Sequence, residues 1–508
     1  MDYSLLIERF TEQHREQRWP RQRLLHECLR AAIRDGTLAA GTRLVASRAL
    51  AQELGVARNS VLYAYEQLAS EGYVVGDRRG TVVAEVAADA PRRKRRGASA
   101  AANGAGQHAQ LSQRARDLRP LPGPANMMGA FVPGVPALDR FPMALWRRML
   151  ERALRSLTVA QLNYADPAGE PALRAAIAGH LRASRGVVCE AEQVFITDGT
   201  QSSLDICVRA LADEGDTIWM ESPGYGGALA ASRAAGLNIA AIEVDEDGIA
   251  PGADDWLLQP PRLIYTTPSH QYPTGGLLSL RRRLALIESA RAAGALIIED
   301  DYDSEFRHDG PPLPAMQGLA ADAPVVYLGT FSKTMFPSLR IGFLVVPPAL
   351  AEPMAQMRAQ SSPRGRVAEQ LALAEFVHSG QFALHLRRMR RLYRQRRDAL
   401  VTALERHMGS VAGVYGGSAG MHLALRFHGR RLDDAAISAQ AREQGIVAHA
   451  LSSHAVQGDA GWSGLMLGYA QIDAEEVDGL VRRLAALVHL AAYQAGRAKL
   501  TAGRASSP

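Results

Sequence analysis

The feature that most constrains this chain is a rhythm. From about residue 140 to 490, short β-branched runs alternate with Ala/Leu/Arg-rich stretches of helical length. That alternation is the pattern of an α/β fold. Open α/β sheets place ligands at the carboxyl ends of their strands, so the strand ends are where functional residues are sought. Composition agrees: 508 residues with 47% hydrophobic and 22% charged side chains are those of a soluble globular chain. Cys28, Cys189 and Cys207 lie far apart without a Cys-x-x-Cys pair, which excludes a disulfide framework or zinc finger and suits a reducing compartment. There is no run of about 18 apolar residues and the first residues are polar, so a cytoplasmic protein is expected, neither secreted nor membrane-bound.

The charge is divided unevenly. Residues 1–120 hold 20 Lys+Arg against 13 Asp+Glu, a net of +7, whereas 121–508 hold 38 against 39, a net of −1. A basic front end is what a polyanion partner requires. The composition shifts near residue 87, and 87–120 reads as a flexible basic linker containing Arg92-Arg93-Lys94-Arg95-Arg96. The expected division is 1–86, linker 87–120, large domain 121–495 and a disordered Ala/Gly/Ser-rich tail 496–508.

Within the front end, Leu24, Leu25, Cys28, Leu29 and Ile33 form one helical stripe. Ser47 is placed to cap a short helix, Arg48 to Leu54, that ends at Gly55. A second helix starts near Arg58-Asn59-Ser60, carries Val61, Leu62, Tyr65 and Leu68, and stops at Gly72. Tyr73-Val74-Val75, Arg78-Arg79-Gly80 and Thr81-Val82-Val83 then read as a tight hairpin. Helix, short helix, turn, helix and hairpin make a winged helix-turn-helix. The polar start of the second helix is able to enter a major groove, although a solvated surface would carry the same arginines.

Of the 58 basic residues only Lys94, Lys333 and Lys499 are lysines. Lys333 follows an apolar strand, Val325 to Leu328, and stands among Thr330, Ser332 and Arg340. Two hydroxyls and a guanidinium suit a phosphate, and a lysine beside a phosphate suits a phosphorylated aldehyde held as a Schiff base. Upstream, a second apolar strand delivers Glu299-Asp300-Asp301-Tyr302-Asp303. Asp300 is placed to pair with a protonated pyridine nitrogen and Tyr302 to reach the ring's phenolic oxygen; a metal site or a solvated acidic loop is the alternative. Gly199 and Thr200 open a helix after the strand Val194 to Thr197, an anion site at a helix N-terminus. Tyr225, after Glu221-Ser222-Pro223-Gly224, offers a flat face for a ring, or simply packs in the core.

These segments carry two resemblances. Leu24 through Val83 resembles the GntR-type winged helix in Gly-Thr-Arg-Leu, Ser-Arg-x-Leu-Ala, Leu-Gly-Val-x-Arg-Asn-x-Val and Ala-Tyr-Glu-Gln-Leu. The resemblance implies DNA contacts from Arg48, Arg58, Asn59, Ser60 and the wing-tip Gly80. It departs at Val45-Ala46, where the family often has Pro-Ser, and in a wing one residue short. The region from about Asn163 to Asp473 resembles fold-type I aminotransferases that use pyridoxal 5'-phosphate. Ser269-His270-Gln271-Tyr272-Pro273-Thr274-Gly275 and Glu299 to Phe306 are most similar to the MocR/GabR-type branch of the GntR regulators, in which a winged helix is fused to an aminotransferase-like domain.

The resemblance implies a mainly parallel central sheet, a smaller C-terminal α+β subdomain and a dimer with sites at the subunit interface. By it, Lys333 binds the aldehyde, Asp300 the pyridine nitrogen, Tyr302 the phenolic oxygen, and Tyr225 stacks on the ring. Gly199, Thr200, Thr330, Ser332 and Arg340 hold the phosphate, and Tyr164 reaches the partner subunit's phosphate. Tyr272 stands where many relatives have asparagine, and Asp198 where a small hydroxyl residue is usual, so Asp198 is expected to point away or cap the helix. The late strand Gly464 to Tyr469 lacks the arginine with which many relatives bind a substrate carboxylate; Arg426, Arg430 and Arg442 are candidates in its place.

The reading is a regulator that binds promoter DNA and senses an amine, an amino acid or the cofactor itself. A working aminotransferase with an autoregulatory DNA-binding module is the alternative, and a DNA-binding module on a mere dimerisation scaffold a third.

Overall fold

The computed structural model describes residues 1–15, 17–77, 80–85, 112–116, 129–310, 313–320, 322–361, 365–429, 432–458 and 461–505. The chain divides into two compact units, Met1–Ala109 and Gln110–Pro508. The division falls inside the stretch 87–120, most of which lies outside the described residues. Within it Gln113–Arg116 forms a helical turn, where a flexible linker was expected, and Arg114 pairs with Glu214 at 3.4 Å.

The first unit packs four helices, α1 (Tyr3–Gln13), α2 (Arg21–Arg34), α3 (Ser47–Glu53) and α4 (Arg58–Ser70), against the hairpin β1 (Val74–Asp77) and β2 (Gly80–Val83). Leu25, Leu29, Ile33, Leu50, Val61, Leu68, Val74 and Val83 are its core. The expected stripe of α2 is the buried one, apart from Leu24, which stays half-exposed. Helix α1 was not foreseen; its anchors are Tyr3, whose N–H donates to Glu53 Oε1 (3.1 Å), and the Asp2 carboxylate, which accepts from the Leu5 N–H. Ser47 is not a cap. It is the first helical residue of α3, and Ala46 precedes it without any side-chain cap. The hairpin pairs Val74 with Val83 and Asp77 with Gly80; residues 78 and 79 lie outside the described residues.

The second unit is built on an eight-stranded sheet. Its strands are β3 (Val194–Thr197), β4 (Thr217–Ser222), β5 (Asn238–Asp245), β6 (Gly248–Ile249), β7 (Leu263–Thr266), β8 (Leu296–Asp301), β9 (Val325–Thr330) and β10 (Gly342–Val345). They lie in the order β3-β10-β9-β8-β7-β4-β5-β6. The centre, β9 through β5, is parallel; β10 runs antiparallel between β3 and β9, and β6 antiparallel to β5. The central strands are buried on both faces, which is why they read as continuous apolar runs such as Leu263–Thr266.

A second sheet, β11 (Ala412–Tyr415), β12 (His422–Phe427), β13 (His449–Ala450) and β14 (Gly464–Gly468), is antiparallel in the order β11-β12-β14-β13. It packs on the long helices Gln381–Met408 and Ala474–Ala505. The expectation of a disordered tail from Gly496 fails, because the last helix continues to Ala505. Its final turns are Ala-rich, and each of the two glycines there, Gly496 and Gly503, costs a helix only about 1 kcal/mol.

Candidate cofactor site and DNA-binding surface

Four strand ends converge in the second unit. Helix Thr200–Leu211 starts at Gly199, whose φ of +93° is glycine's territory, and so aims unpaired backbone N–H groups outward. Strand β10 begins hard against it: a Cβ on Gly342 would lie 2.8 Å from the Gly199 Cα, and one on Gly199 3.4 Å from the Arg340 guanidinium. A guanidinium therefore stands at the positive end of a helix, an arrangement that only an anion relieves. Thr330 ends β9, and its Oγ1 accepts from the Ser332 N–H at 3.1 Å. Thr330 pairs with Gly342, which abuts Gly199, so Thr330 and Ser332 lie on the same side of the sheet end as Gly199 and Arg340.

The backbone of the cradle is clamped. Arg340 has φ +51°, and Arg366, itself at φ +64°, donates to the carbonyls of Arg340 (2.8 Å) and Leu339 (2.9 Å). Arg366 also faces Asp198 at 3.6 Å, while the helix has no side-chain cap. Asp198 thus faces an arginine and does not cap the helix.

Lys333 is enclosed, its Nζ donating to the Gly134 carbonyl at 2.7 Å. Burial pulls its ammonium below the ordinary lysine value, which Asp303 and Asp300 oppose and Arg340 reinforces. A lowered lysine is one with more free amine, the form that attacks an aldehyde. Asp300, in the buried end of β8, takes the Tyr265 hydroxyl on Oδ2 at 2.8 Å while its Oδ1 is buried without a partner. Burial raises its pKa to about 7, with Asp301 and Asp303 adding and Tyr265 and Lys333 opposing. A buried carboxylate with one idle oxygen wants an N–H⁺ donor, which a protonated pyridine provides.

Tyr225 precedes helix Gly226–Ala235, and burial pushes its hydroxyl up to about 12. Tyr272 meets it edge-on at 5.4 Å. The loop carrying Tyr225 is tied to the 266–271 segment by Glu221, which accepts from Thr266 Oγ1 (2.5 Å), Thr267 Oγ1 (2.7 Å) and Gln271 (3.2 Å). Tyr302 lies just past β8, and its hydroxyl donates to the His270 carbonyl at 2.8 Å. Behind it, His270 Nδ1 meets Asp303 at 3.0 Å. His270, Asp303 and His422 bring donor atoms within 4.8 Å of one another, a cluster the spacing of the sequence did not reveal. The His270–Asp303 hydrogen bond occupies two of the three, and the Tyr302 hydroxyl lies 3.1 Å from the same His270 Nδ1.

Tyr164 is 90% exposed and meets none of these residues. Of the candidate arginines for a carboxylate, Arg426 lies over Trp462 at 4.5 Å, Arg442 is exposed with its charge acting on His449, and Arg430 lies outside the described residues.

In the first unit, Arg58 and Asn59 are exposed at the first turn of α4, Ser60 is half-buried beside them, and Arg48 is exposed on α3. Gly80 is exposed at φ +132°, and a Cβ there would lie 3.4 Å from Arg43 Nη1. The sequence reading passed over Arg43, although it lies inside the quoted Gly-Thr-Arg-Leu. Tyr265, His422 and Gly134 were likewise not singled out, and Asp303 was named only as one of the strand-end acids.

A buried carboxylate with one idle oxygen, an enclosed lysine and an arginine-backed helix start fit the pyridoxal 5'-phosphate-dependent, fold-type I class, here joined to a helix-turn-helix. Comparison makes this specific. Residues 140–484 match the family "Aminotransferase class I and II" and residues 22–83 match "Bacterial regulatory proteins, gntR family". The chain is 42% identical to the probable rhizopine catabolism regulatory protein MocR of Rhizobium meliloti, over 89% of this chain and 91% of that protein. It is 34% identical to the pyridoxine biosynthesis regulator PdxR of Corynebacterium glutamicum, over 75% and 78%. Among solved structures it resembles LysN, an α-aminoadipate aminotransferase of Thermus thermophilus complexed with N-(5'-phosphopyridoxyl)-L-leucine. The TM-score is 0.66 at 28% identity, covering 75% of this chain and 96% of that one. The chain belongs to the MocR-type regulators, GntR-family winged helices fused to an aminotransferase class I and II domain.

Proposed function

We propose that this protein binds promoter DNA as a homodimer in the cytoplasm and changes its affinity when an amine reaches the site around Lys333. One observation carries the reading: a single chain joins an exposed, arginine-bearing helix-turn-helix to a second unit with an enclosed lysine, a buried carboxylate with one idle oxygen and an arginine beside a helix start. The working division is residues 1–86 for DNA, 87–120 as connection, and 121–495 for cofactor, effector and dimerisation. Arg48, Arg58, Asn59, Ser60 and Gly80 contact DNA, with Arg58 and Asn59 entering the major groove.

In the larger domain, pyridoxal 5'-phosphate, when bound, supplies an aldehyde that takes up primary amines and a cationic ring that withdraws electrons from them. The chain's residues do the rest. Arg340, Thr200, Thr330, Ser332 and the Gly199 helix start hold the phosphate, while Asp300 keeps the ring nitrogen protonated through its idle Oδ1. Tyr225 covers one ring face, Tyr302 meets the phenolic oxygen, and Lys333 provides an amine whose pKa burial lowers. Tyr164 reaches the partner subunit's phosphate; support comes from its 90% exposure beside Val159 (86%) and Leu162 (72%), an apolar loop suited to a protein neighbour.

The deciding experiment titrates promoter fragments with the protein, with and without cofactor and candidate amines. Salt-dependent binding that prefers the promoter over random DNA and shifts with an amine is expected. Absence of any preference sinks the reading. Since the lysine and carboxylate are complete, a transaminase is the second reading, and sustained turnover with an amino donor and a keto acid would favour it.

A further inference from the structure

Tyr272 stands between the two tyrosines assigned to the cofactor and the C-terminal sheet. Its ring lies 5.4 Å from Tyr225 and 6.1 Å from Tyr302 on one side, and 5.7 Å from His422 and 5.3 Å from His454 on the other. Beneath it, Ala424 and Met466, paired across β12 and β14, join Leu451 and Trp462 in an apolar floor. His422 shares the face of Ala424, two residues earlier on the strand, and is close enough to Lys333 to feel its charge. An amine bound at Lys333 therefore has Tyr272, His422 and His454 within reach of its far end.

Both histidines have one nitrogen engaged and one idle. His422 hydrogen-bonds the backbone of Pro273, and its Nε2 has no partner. Proline has no N–H, so the partner is the carbonyl and His422 Nδ1 is the donor. His422 Nε2 is thus a lone pair, on a side chain only 1% exposed. His454 repeats the arrangement. The Gly224 N–H already donates to the His454 carbonyl at 2.9 Å, and the ring's own bond to Gly224 favours the protonated ring, so the ring donates to the Gly224 carbonyl. His454 Nε2 is likewise buried and idle. Burial holds His454 down to about 4 and His422 well below the ordinary histidine value. Neither becomes a cation near neutral pH.

Two neutral, fixed acceptors are a poor seat for a carboxylate, which offers only acceptors of its own. A hydroxyl donates to such a lone pair, and its carbon backbone lies comfortably on Met466 and Tyr272. We propose that His422 and His454 select amines whose far end carries hydroxyl groups, such as amino alcohols and amino sugars, over amino acids. The proposal rests on the reading that Lys333 holds the cofactor.

The test uses the full-length, cofactor-loaded protein, with calorimetry and the cofactor's visible absorption as readouts. Serinol and D-glucamine are compared with 4-aminobutyrate and L-glutamate, and propylamine serves as the plain amine. The hydroxylated amines should bind at least about tenfold more tightly than the carboxylated ones. His454→Leu should weaken serinol binding by about tenfold while leaving propylamine unchanged, and His422→Leu should weaken serinol by about tenfold more than it weakens propylamine. His454→Gln, which restores an acceptor with little change in size, should recover part of the loss, and thermal melting verifies that each variant is folded. Equal or tighter binding of 4-aminobutyrate or L-glutamate overturns the proposal, as do folded leucine variants that bind serinol like the parent. A native protein without a visible band that Lys333→Ala removes overturns the cofactor reading itself, and the proposal with it.

Discussion

The two units use opposite physics. In the helix-turn-helix the residues assigned to DNA are in water: Arg48, Arg58, Asn59 and Gly80 are exposed, and the core beneath them is plainly apolar. In the larger unit most of the assigned residues are enclosed, the exposed Arg340 and Tyr164 excepted. Asp300 is 3% exposed, Thr330 6% and Ser332 9%, and the ionisable groups among them are displaced from their ordinary values. A polyanion is met by charge that stays solvated and is screened by salt. A small molecule is met by charge withdrawn from water, where each unpaired group becomes a demand for one kind of partner. The basic excess of residues 1–120 belongs to the first strategy, and the nearly neutral remainder to the second.

This contrast can be broken most sharply at Lys333. Lys333→Ala should abolish the cofactor's visible band completely while leaving promoter affinity without cofactor unchanged; spectrophotometry and a mobility-shift titration measure the two. Next comes Arg58→Ala, expected to weaken promoter binding by about 1–3 kcal/mol with the visible band intact. Added salt should weaken DNA binding in the parent and spare the band. Asp300→Asn should weaken cofactor retention by about 1.5–3 kcal/mol, read by dialysis and absorption, since a charge-assisted bond is replaced by a neutral one.

The same position gives a pH signature in cofactor-free protein. Asp300 is raised to about 7 when folded and sits near 4 when unfolded, so the folded chain holds the extra proton between these values. Its contribution to stability is therefore greatest at low pH and falls as pH rises from about 4 to about 7. Asp300→Asn should accordingly raise the melting temperature relative to the parent more at pH 8 than at pH 5. The smallest effect is expected in the first unit. Tyr65→Phe removes the hydroxyl's 2.7 Å bond to the Val45 carbonyl and should cost about 1 kcal/mol, with no change in the visible band.

What was legible in the sequence was what is local. Lys333, Asp300, Gly199 and Tyr225 each sit at the end of an apolar run, where the pattern of strand and turn announces them. The helix-turn-helix announced itself in the same way, through helical stripes broken at Gly55 and Gly72. Partners supplied from elsewhere were not legible. Gly134 reaches Lys333 from well upstream, and His422 meets the His270–Asp303 pair from a different sheet. Helix ends misled for another reason. Ser47 is a good capping residue in a position where the chain had already turned helical, and Gly496 was outweighed by its alanine-rich neighbours. Helix α1 was legible but missed: Tyr3, Leu6, Ile7 and Phe10 recur at helical spacing, and the first three pack on the core.

The clamp on Arg340 has a consequence for how its site can be dissected. Its left-handed backbone is a conformation most side chains resist, and Arg366 holds that bend through two carbonyls. Shape and charge at this corner are consequently separable. A glycine at position 340 would keep the bend and remove only the cation, whereas a β-branched residue would remove the cation and fight the bend. The difference between those two losses measures how much of the anchoring comes from a preformed curve in the chain and how much from its electric field.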